Sequence, residues 1–147
     1  MDYKLLCAQL KALTEDVENE ISNLSNASAL LWQELGDINW AGFYKMEGGI
    51  LVLYPFQGKP ACTKIAVGKG VCGTAVAEER TQLVPDVHQF PGHIACDCAS
   101  NSEIVVPIRV GGEIWGVLDI DSPNLNRFDE NDRKGLEEFV KILEEVL

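Results

Sequence analysis

Positive charge is scarce in this chain: twelve Lys and Arg stand against twenty-three Asp and Glu, a formal net charge of −11, and the basic residues are scattered. A protein that grips nucleic acid needs a basic stripe to displace phosphate counterions, so that class is excluded. An anionic membrane surface would repel the chain as well. Long apolar runs are lacking too. No stretch approaches the ~20 residues a bilayer-spanning helix requires. The N-terminal MDYKLLCAQLKALTEDVENE carries charges every few residues where a signal peptide would be apolar. No internal repeat and no composition shift marks a domain boundary. We therefore expect a cytoplasmic protein without nucleic-acid or membrane partners, whose ligand is small and neutral or zwitterionic.

What is present suits one globular domain over residues 1–147. The chain is 46% hydrophobic, enough for a real core, and its 24% charged residues give no sign of disorder. Leu6, Leu10, Leu13, Val17, Ile21 and Leu24 recur at helical spacing. The polar run Ser22 to Ser28 is expected to break that helix, with a second one over Ala27 to Leu35 stopped by Gly36. These N-terminal helices (1–36) precede a core (37–147) in which the period changes to two. Trp40 to Tyr44 and Ile50 to Phe56 read as a hairpin turning at Gly48-Gly49. A strand over Cys62 to Val67, a helix over Val71 to Glu79 and a short strand over Gln82 to Val84 follow. Residues 85–102 lack periodicity and read as a functional loop. Glu103 to Val110 and Glu113 to Asp121 form a second hairpin, and a helix capped by Asp129 closes the chain. The fold class is α+β, with a largely antiparallel sheet flanked by terminal helices.

Five cysteines in a reducing compartment call for an explanation, because cytosolic cysteines that pair are usually catalytic or redox-sensing. The spacings among Cys62, Cys72 and Cys96 fit no zinc-finger pattern. Cys96 lies in the long loop. Cys72 opens a helix whose N-terminal dipole favours a thiolate. The plainer alternative is that each is a small buried hydrophobe, and for Cys7 that is the better reading. His88, His93, Cys96 and Cys98 also form a candidate zinc or copper set, without the spacing of a standard knuckle.

On the strand from Trp115 to Asp121, odd positions share one face: Trp115, Val117, Asp119 and Asp121. Two acids on an apolar face are costly unless that face lines a pocket, where one would stay protonated and donate a proton. Otherwise Asp121 starts the Ser122-Pro123 turn and Asp119 faces solvent. Glu103 opens the neighbouring strand. Trp40 and Tyr44 share a face ~13 Å apart along their strand, either as two core aromatics or as walls for a soft sulfur group or a cation.

The segments NWAGFY (39–44), GKGVCGTA (68–75), VPDVHQFPGHIACD (84–97), ASNSEIVVPI (99–108) and GVLDIDSP (116–123) together resemble the free methionine-(R)-sulfoxide reductases, which are stand-alone GAF domains. The likeness spans about residues 30–145. The loop around HIACD and its three-cysteine spacing separate it from a generic GAF sensor. The resemblance implies a GAF-like fold and an enzyme acting on free methionine sulfoxide without a cofactor or metal. It implies that Cys96 attacks the sulfoxide sulfur and becomes a sulfenic acid. Cys62 then resolves it as a disulfide, with Cys72 as the alternative or a relay, and thioredoxin is the reductant. It places substrate contacts on Trp40, Tyr44, Glu103, Asp119 and Asp121. Cys98 departs from the family pattern, which has alanine there, and adds a thiol able to trap a sulfenic acid. Domains of this type often pair through terminal helices, so a homodimer is expected.

The chemistry fits those residue types. A sulfoxide is poorly electrophilic until its oxygen is protonated, and crowded carboxyls cannot all ionise, so one stays neutral as general acid. An activated cysteine supplies the nucleophile, and its sulfenic acid is reversible if a second thiol captures it. The competing classes are a ligand-sensing GAF module without turnover and a metal-binding protein.

Overall fold

Alternation along the central strands sorts side chains onto two faces, and the whole architecture follows from that sorting. The structure is a computed structural model that describes residues 1–92 and 99–147. Among the described residues four helices, α1 (Tyr3–Thr14), α2 (Glu20–Glu34), α3 (Gly70–Glu78) and α4 (Glu130–Glu144), surround one sheet. Its strands are β1 (Trp40–Glu47), β2 (Ile50–Gly58), β3 (Lys64–Ala66), β4 (Gln82–Val84), β5 (Ser102–Val110) and β6 (Glu113–Ser122). They lie in the order β3-β2-β1-β6-β5-β4, and every neighbouring pair is antiparallel. The expected α+β class with an antiparallel sheet holds.

One face carries Ala41, Phe43, Ile104, Val106, Ile108, Leu118 and Ile120. They pack against Leu6, Leu10, Leu24, Leu31, Leu136, Phe139 and Leu143 of α1, α2 and α4. The opposite face carries Trp40, Tyr44, Val105 and Val117, and α3 covers it with Val71, Cys72, Ala75 and Val76. Each fully buried Leu- or Phe-sized side chain stabilises the fold by ~1.5–3 kcal/mol. The first face is therefore a closed core, while the second mixes apolar and ionisable groups. α4 begins where expected, with Asp129 and Asp132 forming a reciprocal capping box.

The N-terminal helices differ from the expectation. The break falls at residues 15–19, where Asp16 takes a left-handed backbone (φ 58°), and the Ser22–Ser28 run lies inside α2. Asn19 supplies the reason by capping α2 through its side chain, which accepts from the Ser22 amide at 2.9 Å. Two buried side chains of that run bond to backbone carbonyls. Asn23 donates to the Val17 carbonyl at 2.8 Å, and Ser28 donates to the Leu24 carbonyl at 2.9 Å. The apparent stripe from Leu6 to Leu24 thus belongs to two helices, and Leu13, Val17 and Ile21 are exposed. After α2 it is Asp37, not Gly36, that takes the left-handed conformation.

Trp115 does not share the face of Asp119. The β5–β6 register steps from Ile108↔Gly116 to Arg109↔Ile114, which leaves Trp115 as the extra residue of a bulge. Its indole points to the helical side and donates to Glu20 at 3.1 Å. A second bulge, in β2 opposite Phe43, brings Tyr54 to the same carboxylate at 3.0 Å, where Lys45 also binds. The two bulges and α2 are pinned at one point. The described residues before β5 include a 3-10 turn, Val87–Gln89. Among the described residues, no helix is long and apolar enough to cross a membrane.

Candidate active site

The middle of the sheet sets three strands side by side on the α3 face. Trp40 of β1, Asp121 of β6 and Glu103 of β5 form one row. Gly42, Asp119 and Val105 form the next, and Tyr44 and Val117 lie in the one after. Adjacent strands lie ~4.8 Å apart, so Glu103 and Asp121 are direct neighbours and Asp119 is diagonal to Glu103. Like charges so placed repel strongly. Glu103 (7% exposed) and Asp119 (6%) are also almost out of water.

Glu103 is accordingly biased toward its protonated form. Burial pushes its carboxyl well above the usual range, the charges of Asp119 and Asp121 push it further, and it shares hydrogen bonds with both. This answers the sequence-level alternatives for the acids: Asp119 is buried in the cluster, and Asp121 faces the same cavity as Glu103.

The aromatic pair also meets at the site. Trp40 and Tyr44 lean together until their rings stack at 5.9 Å. Phe56, which sequence reasoning missed, backs Trp40 at 5.0 Å. Its signal was Gly42. A Cβ there would lie 2.2 Å from the Phe56 Cβ, so only glycine lets β2 come so close. The Tyr44 hydroxyl donates to the Cys62 carbonyl at 2.9 Å, and the Trp40 indole donates to the Lys59 carbonyl at 3.1 Å. Burial first, then the negative charge of Asp119 and its neighbours, raises the Tyr44 pKa, so it remains a neutral donor.

Cys72 is brought into the same cluster, with its thiol donating to Asp119 at 3.3 Å. The expectation that the α3 dipole would favour a thiolate here is overturned. Burial and then the negative charge that Asp119, Glu103 and Asp121 share between them push its pKa well up, and they outweigh the partial charge of a helix end. Cys72 is a free thiol, whereas Cys62 is engaged in a disulfide. Cys7 is half-buried against the helical core, as its placement on α1 suggested.

Trp40, Tyr44, Glu103, Asp119, Asp121 and Cys72 line one cavity, together with Pro60, Ala61, Lys69 and Ser100. Ser100 was also missed. It accepts from the Asn39 side chain at 3.3 Å, a tie across the chain that no local pattern reveals. Cys72, Glu103 and Asp119 each offer a ligand atom within 4.8 Å of the others, a donor set able to hold a cation. His88, from the other metal reading, bonds Asn101 at 3.2 Å. Cys96, Cys98 and His93 lie outside the described residues, and so does the assignment of Cys96 as nucleophile.

A neutral acid beside two further carboxyls, against stacked aromatic rings, is able to bind a small cationic or zwitterionic molecule and protonate it. The sequence matches the GAF domain family over residues 23–147. It is 54% identical over 145 residues to the free methionine-R-sulfoxide reductase of Escherichia coli, covering 99% of this chain and 88% of the relative. The fold superposes on the reduced form of fRMsr of Staphylococcus aureus with a TM-score of 0.97 at 59% identity, over 99% of this chain and 95% of that one. The substrate complex of the same S. aureus protein gives a TM-score of 0.95 at 58% identity, with the same coverage. The chain belongs to the GAF domain family and, within it, to the free methionine-R-sulfoxide reductases, which are enzymes.

Proposed function

We propose that this protein reduces free methionine-(R)-sulfoxide to methionine, and that the cavity under α3 binds the substrate. The observation that carries the reading is the cluster in one cavity: the buried Glu103 carboxyl beside Asp119 and Asp121, next to stacked Trp40 and Tyr44. In this reading the substrate ammonium pairs with the acid cluster and the S-methyl group rests on the aromatic wall. Glu103 passes its proton to the sulfoxide oxygen while the Cys96 thiolate attacks sulfur. The oxygen moves to the cysteine sulfur, giving methionine and a sulfenic acid; the substrate sulfur gains two electrons and the cysteine sulfur loses two. Cys62 condenses with the sulfenic acid, releasing water, and a thioredoxin-type dithiol reduces the resulting disulfide. Cys62 is preferred over Cys72 as the resolving residue because it is the one found in a disulfide, while Cys72 is a free, protonated thiol bonded to Asp119.

The test uses separated R and S sulfoxides, free and peptide-bound, with dithiothreitol as reductant, and measures methionine released. Turnover is expected with the free R form alone and is expected to vanish in Cys96→Ser. Activity retained by that variant would overturn the assignment of the nucleophile.

A further inference from the structure

We propose that the Tyr44 hydroxyl, assisted by the Trp40 indole, is a positioning group for the resolving cysteine, so that the substrate wall also sets where Cys62 stands. This rests on the reading that Cys62 resolves. The segment from Gly58 to Lys64 leaves β2, passes the mouth of the cavity and returns as β3. Its residues Pro60 and Ala61 line the cavity. Two hydrogen bonds from the cavity wall hold it. Tyr44 donates to the carbonyl of Cys62 itself at 2.9 Å, and Trp40 donates to the carbonyl of Lys59 at 3.1 Å.

Both donors are built for this. Tyr44 and Trp40 are each 2% exposed, so little solvent reaches the two donors. Burial, and after it the acids nearby, favour the phenol form of Tyr44 over the phenolate, which preserves its ability to donate. The two rings stack, and Phe56 clamps Trp40 from behind, so neither donor rotates freely. Disulfide formation demands Cα atoms within about 7 Å and a narrow range of side-chain directions. A segment anchored at both Lys59 and Cys62 meets that demand at lower entropic cost than a free one. The step served is the condensation of a sulfenic acid with the Cys62 thiol, which forms one S–S bond and releases water.

Reduced enzyme is mixed with free methionine-(R)-sulfoxide in the absence of reductant, for wild type, Tyr44→Phe and Trp40→Phe. Methionine formation is followed by rapid quench, and the sulfenic acid by trapping with dimedone and mass spectrometry. In Tyr44→Phe the first-order rate of condensation, read as decay of the sulfenic acid after methionine has formed, is expected to fall roughly threefold to tenfold, the worth of one neutral hydrogen bond. Trp40→Phe keeps a stacking ring and is expected to lower that rate in the same direction but less. An unchanged condensation rate in both variants overturns the proposal, because a role confined to substrate binding slows methionine formation alone. Cys62→Ser separates the underlying reading: if it still forms a disulfide at the wild-type rate, Cys62 is not the resolving residue.

Discussion

A carboxyl group moved out of water and set beside two others has little choice but to keep its proton. Glu103 shows how environment, rather than residue type, assigns a chemical role. The same shift has a consequence for stability. In the unfolded chain a glutamate loses its proton near pH ~4.3. Folded Glu103 holds it to much higher pH, so its favourable contribution is complete below that point and is lost as pH rises toward the folded value. Glu103→Gln mimics the protonated form and escapes the loss. Urea unfolding from pH 5 to pH 8 should find the variant gaining on wild type by up to ~1.4 kcal/mol per pH unit, while its rate of methionine formation collapses. Parallel pH–stability curves would show that Glu103 ionises normally. Cys72 carries the same lesson in reverse: a helix N-terminus lowers a thiol pKa only when burial and neighbouring carboxylates do not outweigh it.

Elements here are fastened by close approaches. The Tyr3 ring of α1 covers Gly135 of α4, and its hydroxyl donates to Asp132 at 2.6 Å in a buried position. A Cβ at Gly135 would lie 2.1 Å from the Tyr3 ring. On an open helix Gly→Ala is worth ~1 kcal/mol in favour of alanine. At this contact Gly135→Ala is expected to destabilise by ~1–3 kcal/mol through overpacking, read as a lower midpoint in urea. A raised midpoint would mean that Tyr3 swings aside at no cost. The two bulges do comparable work at the far end of the sheet. They turn Trp115 and Tyr54 toward Glu20 and leave the parity of Asp119 and Asp121 intact on the other face.

At the scale of the molecule, one sheet separates two tasks. The face under α1, α2 and α4 is almost wholly apolar, and the face under α3 holds the acids, the stacked aromatics and Cys72. Acids clustered on one face and a net charge of −11 both favour a ligand bearing positive charge. Binding such a ligand only in the folded state raises stability by about 2.7 kcal/mol at a hundred times its Kd. Cys96→Ser, which is unable to turn over, should therefore show a saturable rise in Tm with free methionine-(R)-sulfoxide and none with the peptide-bound form. Equal shifts with both would show that the cavity admits a peptide chain.

Periodicity by itself determined most of the elements: the two Gly-Gly hairpins, the Gln82–Val84 strand and the Asp129-capped helix stand where alternation and turn chemistry placed them. These signals are local, carried by residues within one or two turns of each other. The acid cluster was half legible, since two odd-numbered acids on one strand must share a face wherever that strand lies. The break between α1 and α2 and the turning of Trp115 were not, because capping competition at Asn19 and a one-residue bulge leave the hydrophobic pattern unchanged. Only tertiary structure decided that Phe56 backs Trp40, that Ser100 meets the cavity and that Cys72 is held protonated. Each depends on strands and helices distant in sequence coming within a few ångströms, where desolvation and neighbouring charge, not residue identity, set the chemistry.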